Sequence, residues 1–435
     1  MQLVDSFLEL VKPLQVVMTQ PSFVNFVTML CGWVFAGRRT VTGMIRGAGA
    51  VGKKHHSSYH RLFAAAKWSL DELGLAVFAL LLPWLPPVIE LSLDDTLCRK
   101  RGLKMYGAGM HHDPLQSSRK TAIVSWGHSW VVLAVLVRFP FCPHRVFSLP
   151  ILCRLYLNHK ACATWRVVER TRPALAVELL GRLCTRYPER AFHAVADSTY
   201  GGESVLGQLP QNCGLTSRLP LDARLHEPLP PRRPGRPGRP RRRGPRMASP
   251  EQLLAQRAHR TCLHLYGRHD RVRLSTQVSC WYSVPTRPLR IVAVEPLCGG
   301  RPVQALYSTD DKAAPEAVLQ QYSRRWSIEE VNRACKTHLG MEQPQGWTPL
   351  AVKRTAPVAL LLYSLIVLWF ARVGVHAYHP PHRPWYPSKP NPSFFDMLQT
   401  LRRESLLAEV FQTPGVPPPP QKLLRLIQIA TESSA

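Results

Sequence analysis

Residues 88–95 read VIELSLDD and residues 191–202 read AFHAVADSTYGG. Each is a short apolar run that closes on aspartate, Asp94–Asp95 in the first and Asp197 in the second. Runs of this length, rich in residues that suit a pleated surface and bounded by turn formers, are expected to be strands. A third run, SWVVLAVLVRF at 129–139, is apolar without alternation, as in strands covered on both faces. Helical periodicity fills the interval from Ala163 to Tyr187. Strands that alternate with helix predict an α/β sheet. In such a sheet, acids at the ends of neighbouring buried strands meet although they are far apart in sequence. Taken alone, a strand-end aspartate also serves as a turn or helix cap, and that reading stands beside the first for each of the three.

Further along the chain the composition changes. Residues 228–250 are dominated by Pro, Arg and Gly and include GRPGRPRRRG, which can neither pack a core nor form a ladder. Such a segment is a linker or an exposed arm; Arg236 and Arg239, each framed by Gly and Pro, suit an AT-rich minor groove or simply a solvated linker. Strand-like pieces follow at 272–284, 287–297 and 301–310, with breaks expected at Pro288 and at Gly299–Gly300. Helical character returns from Pro315 and runs through YSRRWSIEEVNRACKTHLG at 322–340. Within that run Tyr322, Arg325, Glu329 and Lys336 stand three, seven and fourteen residues from the first. At ~100° per residue they project within about 60° of one another if the helix is continuous. One face then carries a carboxylate able to ligate a metal, two cations able to grip phosphates and a phenol able to hydrogen-bond one. The same face also reads as a solvated, salt-bridged helix surface.

The 435 residues, 45% of them hydrophobic, are enough to bury a large core, and 56 basic against 28 acidic side chains leave a formal charge of +28. Basic residues spread along the whole length fit a nucleic acid better than a membrane surface. Residues 21–65 alternate apolar helical runs with basic turns, where Arg38, Arg39, Arg46, Lys53, Lys54 and Arg61 offer phosphate contacts or a solvated face. The eleven cysteines show no paired ligand spacing and read as buried, reduced thiols. His111-His112-Asp113 lacks a fourth ligand, and Trp281 and Trp326 suit either base stacking or core packing. The first residues, MQLVDSFLELVKPLQ, place Asp5 and Glu9 ahead of any basic residue, unlike a signal or transit peptide. The apolar stretches 73–85 and 357–371 fall short of the ~20 residues of a membrane span, so a buried core helix is expected for each.

The order Asp, Asp, Glu on strand, strand and helix resembles the DDE transposases of bacterial insertion sequences. Residues 322–336 match the signature Y-x2-R-x3-E-x6-K at every spacing, as in the subgroup with a β insertion between the second Asp and the Glu. LDDT at 93–96 and ADSTYGG at 196–202 are similar to that group as well, and the similarity runs from about Ser22 to Val373. One departure is Asn332, where similar proteins commonly carry Phe. The resemblance implies an α/β fold with an RNase H-like catalytic core, a mixed sheet flanked by helices, interrupted by a β-rich insertion domain and carrying helical N- and C-terminal regions. The corresponding segments are a helical DNA-binding region at 1–85, the first part of the core at 86–201, the insertion at 202–309, the second part of the core with the Glu-bearing helix at 310–378, and a Pro-rich spacer with a helical tail at 379–435. Asp94, Asp197 and Glu329 would be the catalytic and metal-binding residues, with Asp94 favoured over Asp95 because the family places its ligand first in the pair. Tyr322, Arg325 and Lys336 would position DNA phosphate. Three carboxylates can hold two Mg2+ ions ~4 Å apart, with Mn2+ able to substitute, for in-line displacement at phosphorus. The implied activity is cut-and-paste transposition, acting on double-stranded DNA at terminal inverted repeats and target, by a homodimer in the cytoplasm at the nucleoid and without a membrane. The alternative is a catalytically inactive, transposase-derived DNA-binding protein.

Overall fold

A computed structural model describes residues 1–118, 120–229, 243–298, 300–380 and 391–411. Arg236, Arg239 and the tail beyond 411 lie outside these residues, as do most of the 228–250 linker and most of the spacer after 379.

Five helices come first: α1 (Asp5–Val11), α2 (Gln20–Phe35), α3 (Val41–Gly47), α4 (His56–Ala64) and α5 (Leu70–Leu81). Their starts are set by local chemistry, since Thr40 caps α3 and Ser69 caps α5 by accepting backbone N–H bonds. Strands β1 (Val88–Arg99), β2 (Gly109–His112), β3 (Val124–Val137) and β4 (Phe147–Tyr156) follow. The helix read across 163–187 is two helices, α6 (His159–Trp165) and α7 (Arg172–Arg186), because Arg166 turns into the left-handed region at φ 51° and ends the first. Strand β5 (Ala191–Ala196), α8 (Glu203–Leu206) and β6 (Cys213–Leu219) complete this half.

In the sheet β4 pairs β3, β3 pairs β1 antiparallel, and β1, β5 and β6 run parallel. The resulting order, β4-β3-β1-β5-β6 with β1 central, is the RNase H-like arrangement. Residues Gly127 to Val137 of β3 are all buried, as the unbroken apolar run requires.

The stretch 202–309, expected as a β-rich insertion, includes α8 and β6, the latter hydrogen-bonded to β5, and then prolongs the same sheet. It contributes β7 (Leu225–His226), β8 (Arg246–Met247), α9 (Pro250–Arg257), β9 (His259–Leu265), β10 (Arg268–Trp281), β11 (Val284–Pro296) and β12 (Gln304–Ser308). Strand β12 pairs β6, so twelve strands among the described residues form one sheet. Pro288 does not break the β10–β11 hairpin: it lies inside β11 opposite Cys280, next to a register shift that tolerates its missing N–H, and the turn falls at 282–283.

Helices α10 (Pro315–Arg324), α11 (Ser327–Thr337), α12 (Pro349–Trp369), α13 (Val375–Ala377) and α14 (Phe394–Phe411) follow. By length and composition the 349–377 helical segment is able to cross a membrane, beyond the shorter run read from sequence, yet 78% of its apolar window is buried inside the protein. It is the central core helix. One continuous cluster joins Phe7 and Trp33 of the N-terminal helices, Leu133 of β3, Leu362 of α12 and Leu401 of α14. A smaller cluster packs Val272, Val292 and Leu306 of the added strands beneath Val318 and Tyr322 of α10.

Polar ties fasten the N-terminal helices to this core. Met1 and Val4 bond to Glu409 and Ser405 of α14 at 3.0 Å each. Arg354 of α12 donates to the carbonyls of Phe63, Ala66 and Trp68 and lies over the Trp68 ring at 4.4 Å. Arg354→Met would leave those buried acceptors unpaired, and a loss of about 3 kcal/mol is expected, measured as an earlier urea midpoint. Nine cysteines are buried, whereas Cys262 and Cys298, on the edge strand β9 and in the loop after β11, are exposed.

Candidate active site

The parallel ladder between β1 and β5 ends at Leu93 opposite Ala196, while β1 continues beside β3 through Asp94 and Asp95. The two strands therefore part where the sequence places its acids. Alternation along β1 turns the adjacent aspartates to opposite faces. Asp95 faces α7, with its Oδ2 3.3 Å from Arg172 Nε and its Oδ1 accepting from the Tyr200 hydroxyl at 3.0 Å. Asp94 faces α11, with its Oδ2 3.5 Å from Arg325 Nη1. The other terminal nitrogen of Arg325 lies 2.9 Å from Glu329 Oε1, so Asp94 and Glu329 are separated by a single guanidinium. Glu330, next in sequence, instead pairs with Arg145 at 2.8 Å.

Asp197 caps a 3-10 turn at Ser198–Tyr200, accepting from the backbone and hydroxyl of Thr199 at 3.0 and 3.3 Å. The turn-capping role weighed for a strand-end aspartate is thus real here, and it coexists with closeness to Asp94 and Asp95, whose carboxyls Asp197 helps to raise.

Burial is the main reason the Asp94 carboxyl is pushed up to about 7, and the nearby Asp95 and Asp197 raise it further against Arg325 and a backbone N–H. Asp95 is also raised by burial, opposed by Arg172 and Tyr200. Burial disfavours the charge on Arg325, but Asp94, Tyr322 and Glu329 outweigh it and hold the guanidinium above its ordinary value. Unfolded, Asp94 loses its proton near pH ~4; folded, it keeps it to about 7. The folded state binds more protons in that window, so this group's contribution to stability declines by of order 4 kcal/mol as pH rises from about 4 to 7. Asp94→Asn is expected to gain stability relative to the parent as pH rises through that range, measured by urea midpoints at pH 5 and 7.5.

Among the described residues no three His, Cys, Asp or Glu side chains stand close enough to hold one ion together. Arg325 occupies the space between Asp94 and Glu329. The donor chemistry still fits a hard divalent cation, because crowded carboxylates that raise Asp94 are the oxygens such an ion neutralises.

The helix carrying Tyr322, Arg325, Glu329 and Lys336 is not continuous. It breaks at Arg325–Trp326, where backbone bonds become i to i−3. Arg325 and Glu329 remain together, whereas Tyr322 is 3% exposed and its buried hydroxyl has no partner among the described residues. Lys336, near Cys98 farther along β1, makes no ion pair among them.

Beside the break lies a cavity of about 1000 Å³ lined by Arg138, Arg218, Arg268, Arg301 and Arg325, with Trp326 53% exposed at its wall. Trp281 instead packs against the main core. The basic cluster after Asp95 is mostly structural: Arg99 pairs with Asp113, and Lys100 donates to the Glu342 and Pro344 carbonyls. That pairing occupies the acid of His111-His112-Asp113. Arg39, offered as a phosphate contact, is buried with its backbone N–H on Gln343.

Arg172 was not legible as part of the site, since nothing in RTRPALAV marks it. Tyr200 showed only as part of a turn behind Asp197.

No curated protein matches the chain. Residues 25–277 match the family described as DDE superfamily endonuclease, a span that holds Asp94, Asp95 and Asp197 and stops before α10 and α11. With more than half its length matched and an RNase H-like sheet that brings Asp94 and Asp197 close where the β1–β5 ladder ends, the chain belongs to the DDE superfamily endonucleases, the transposase-type nucleases.

Proposed function

We propose that this protein binds the ends of an insertion sequence and cuts and joins DNA there, as a member of the Y-x2-R-x3-E-x6-K subgroup. The observation that supports the reading is Asp94, with Asp197 close enough to raise its carboxyl and Glu329 linked to it through the Arg325 guanidinium. Asp94, Asp197 and Glu329 would hold a pair of Mg2+ ions, or Mn2+ in their place. Bound there, the metal supplies Lewis-acid polarisation of the scissile phosphate and a nucleophilic oxygen at neutral pH. The chain's own part is positioning. Arg325, placed between Asp94 and Glu329, would offer a planar fork to a phosphate, and Lys336 would offer a second charge two turns beyond Glu329 along α11. Tyr322, lying under Arg325 with its ring 5.8 Å from the guanidinium carbon, supports that side chain and has a hydroxyl left to donate. The arginine-lined cavity beside Trp326 suits a DNA backbone entering from the side of the added strands. We assign 86–201 and 310–378 to the catalytic core, 202–309 to the insertion apart from β6, which completes the core sheet, 1–85 to end binding, and 379–435 to a spacer and tail. Two sites acting on two ends call for a homodimer on double-stranded DNA in the cytoplasm.

A second reading has one observation in its favour. With Arg325 between Asp94 and Glu329, no three acids surround a common point among the described residues, as expected of a non-catalytic DNA-binding descendant. Labelled DNA carrying the repeats that flank the gene, incubated with protein and Mg2+, separates the two. Metal-dependent nicking at the repeat ends is expected, and binding without cutting would favour the descendant.

A further inference from the structure

Neither β1 nor β5 holds its aspartate by the ladder that joins them. Their last paired residues are Leu93 and Ala196, one step short of Asp94 and Asp197. Beyond that step β1 stays paired to β3 but no longer to β5, so the ladder between β1 and β5 does not set the distance between the two acids.

Tyr200 spans the opening. Its backbone is rooted in the Asp197 turn, where its N–H donates to the Asp197 carbonyl at 3.2 Å. That same carbonyl is held from β6 by the Ser217 hydroxyl at 2.8 Å, and the Gly201 carbonyl is held from β12 by the Tyr307 hydroxyl at 2.7 Å. The Tyr200 ring is fully buried, and its hydroxyl crosses to the Asp95 carboxylate on β1. Asp95 is fixed in turn by Arg172, whose guanidinium lies 4.2 Å over the Tyr156 ring and within 3.2 Å of the Ser129 hydroxyl. A buried tyrosine with one donor, directed at a carboxylate already bound to arginine, has few alternative positions.

We infer that Tyr200 and Asp95, backed by Arg172, form a clamp that fixes the spacing of Asp94 and Asp197, and that Asp95 is a positioning residue instead of a metal ligand. This rests on the proposed metal-dependent reading of the site. Because Asp94 and Asp95 are consecutive on a strand, pinning the second orients the first toward the opposite face. Ligand spacing tolerates errors of only a few tenths of an ångström, so loosening the clamp weakens cation binding more than it weakens the fold.

The test uses the full chain and Mn2+ alone, with thermal unfolding followed as a function of Mn2+, alongside single-turnover cutting of labelled ends. Tyr200→Phe keeps the ring and removes the hydroxyl. It is expected to raise the Mn2+ midpoint about tenfold and slow cutting by a similar factor, with DNA half-saturation unchanged. Asp95→Ala should do the same, and the double variant should be no worse than Asp95→Ala, as residues in one contact require. A merely structural bond would lower the unfolding temperature without Mn2+ and leave the midpoint where it is, which overturns the clamp. So does an Asp95→Ala protein that loses all response to Mn2+ while Asp94→Ala keeps it, since Asp95 is then the ligand. If the parent neither responds to Mn2+ nor cuts, the reading of the site fails and the clamp with it. A parent that does both while Tyr200→Phe matches it removes the clamp alone.

Discussion

Asp94→Asn, Asp197→Asn and Glu329→Gln are each expected to slow strand cutting by at least ~10³-fold while leaving DNA affinity within about threefold of the parent. Each change keeps shape and removes one negative oxygen donor. The three differ in their local cost. Asp94→Asn relieves a buried carboxyl whose ionisation is already opposed by Asp95 and Asp197, so this protein should be more stable at neutral pH. Glu329→Gln releases one of the two acids that hold Arg325, leaving the guanidinium to Asp94 alone. Asp197→Asn retains a side-chain oxygen for the Thr199 N–H and so keeps the turn. Binding is measured by gel shift and cutting by single turnover. Parental cutting by any of the three would remove that residue from the site.

Gly74→Ala is expected to have the largest effect on stability. Helix α5 covers the outer side of β4 at this glycine, and a methyl there would stand 1.9 Å from the Ile151 carbonyl oxygen and 3.1 Å from Leu152 Cδ2. The nearest obstacle is backbone, which cannot rotate away, so helix and strand must separate. A loss of about 3 kcal/mol or more follows, visible as a lower unfolding temperature and reduced yield of folded protein. Gly181→Ala in α7, where nothing lies within 4 Å of the added methyl, is the control and should be neutral or stabilising. Equal unfolding temperatures for the two variants would contradict the close packing of α5 on β4.

The strands that lead to Asp94 and Asp197 were legible because each is a short, largely apolar run before an aspartate, although β1 runs on to Arg99. Strand β4 was not. FSLPILCRLY is interrupted by Pro150, which the strand accommodates beside a register shift between Leu133 and Ala134 of β3. Pro288 misled for the same reason. Periodicity across 322–336 gathered the right residues on one side of a helix, and Arg325 does meet Glu329. It gave no warning of the break at Arg325–Trp326, because both residues keep helical backbone angles. The Asp95, Tyr200 and Arg172 contacts join segments up to 105 residues apart, and only the assembled sheet brings them together. The strand-like pieces after 272 were legible as the β-rich insertion, but short runs of that kind carry no information about β12 pairing β6.

The bonds from Met1 and Val4 to Glu409 and Ser405 bear on how the protein is made. A nascent chain cannot complete the layer that holds α1 until the α14 segment, 401 residues beyond Val4 at Ser405, has also been made, so α1 waits for its packing partners. Assembly governed by such distant contacts is expected to be slow and post-translational, and removal of even the short segment that includes α14 should expose apolar surface at the opposite terminus.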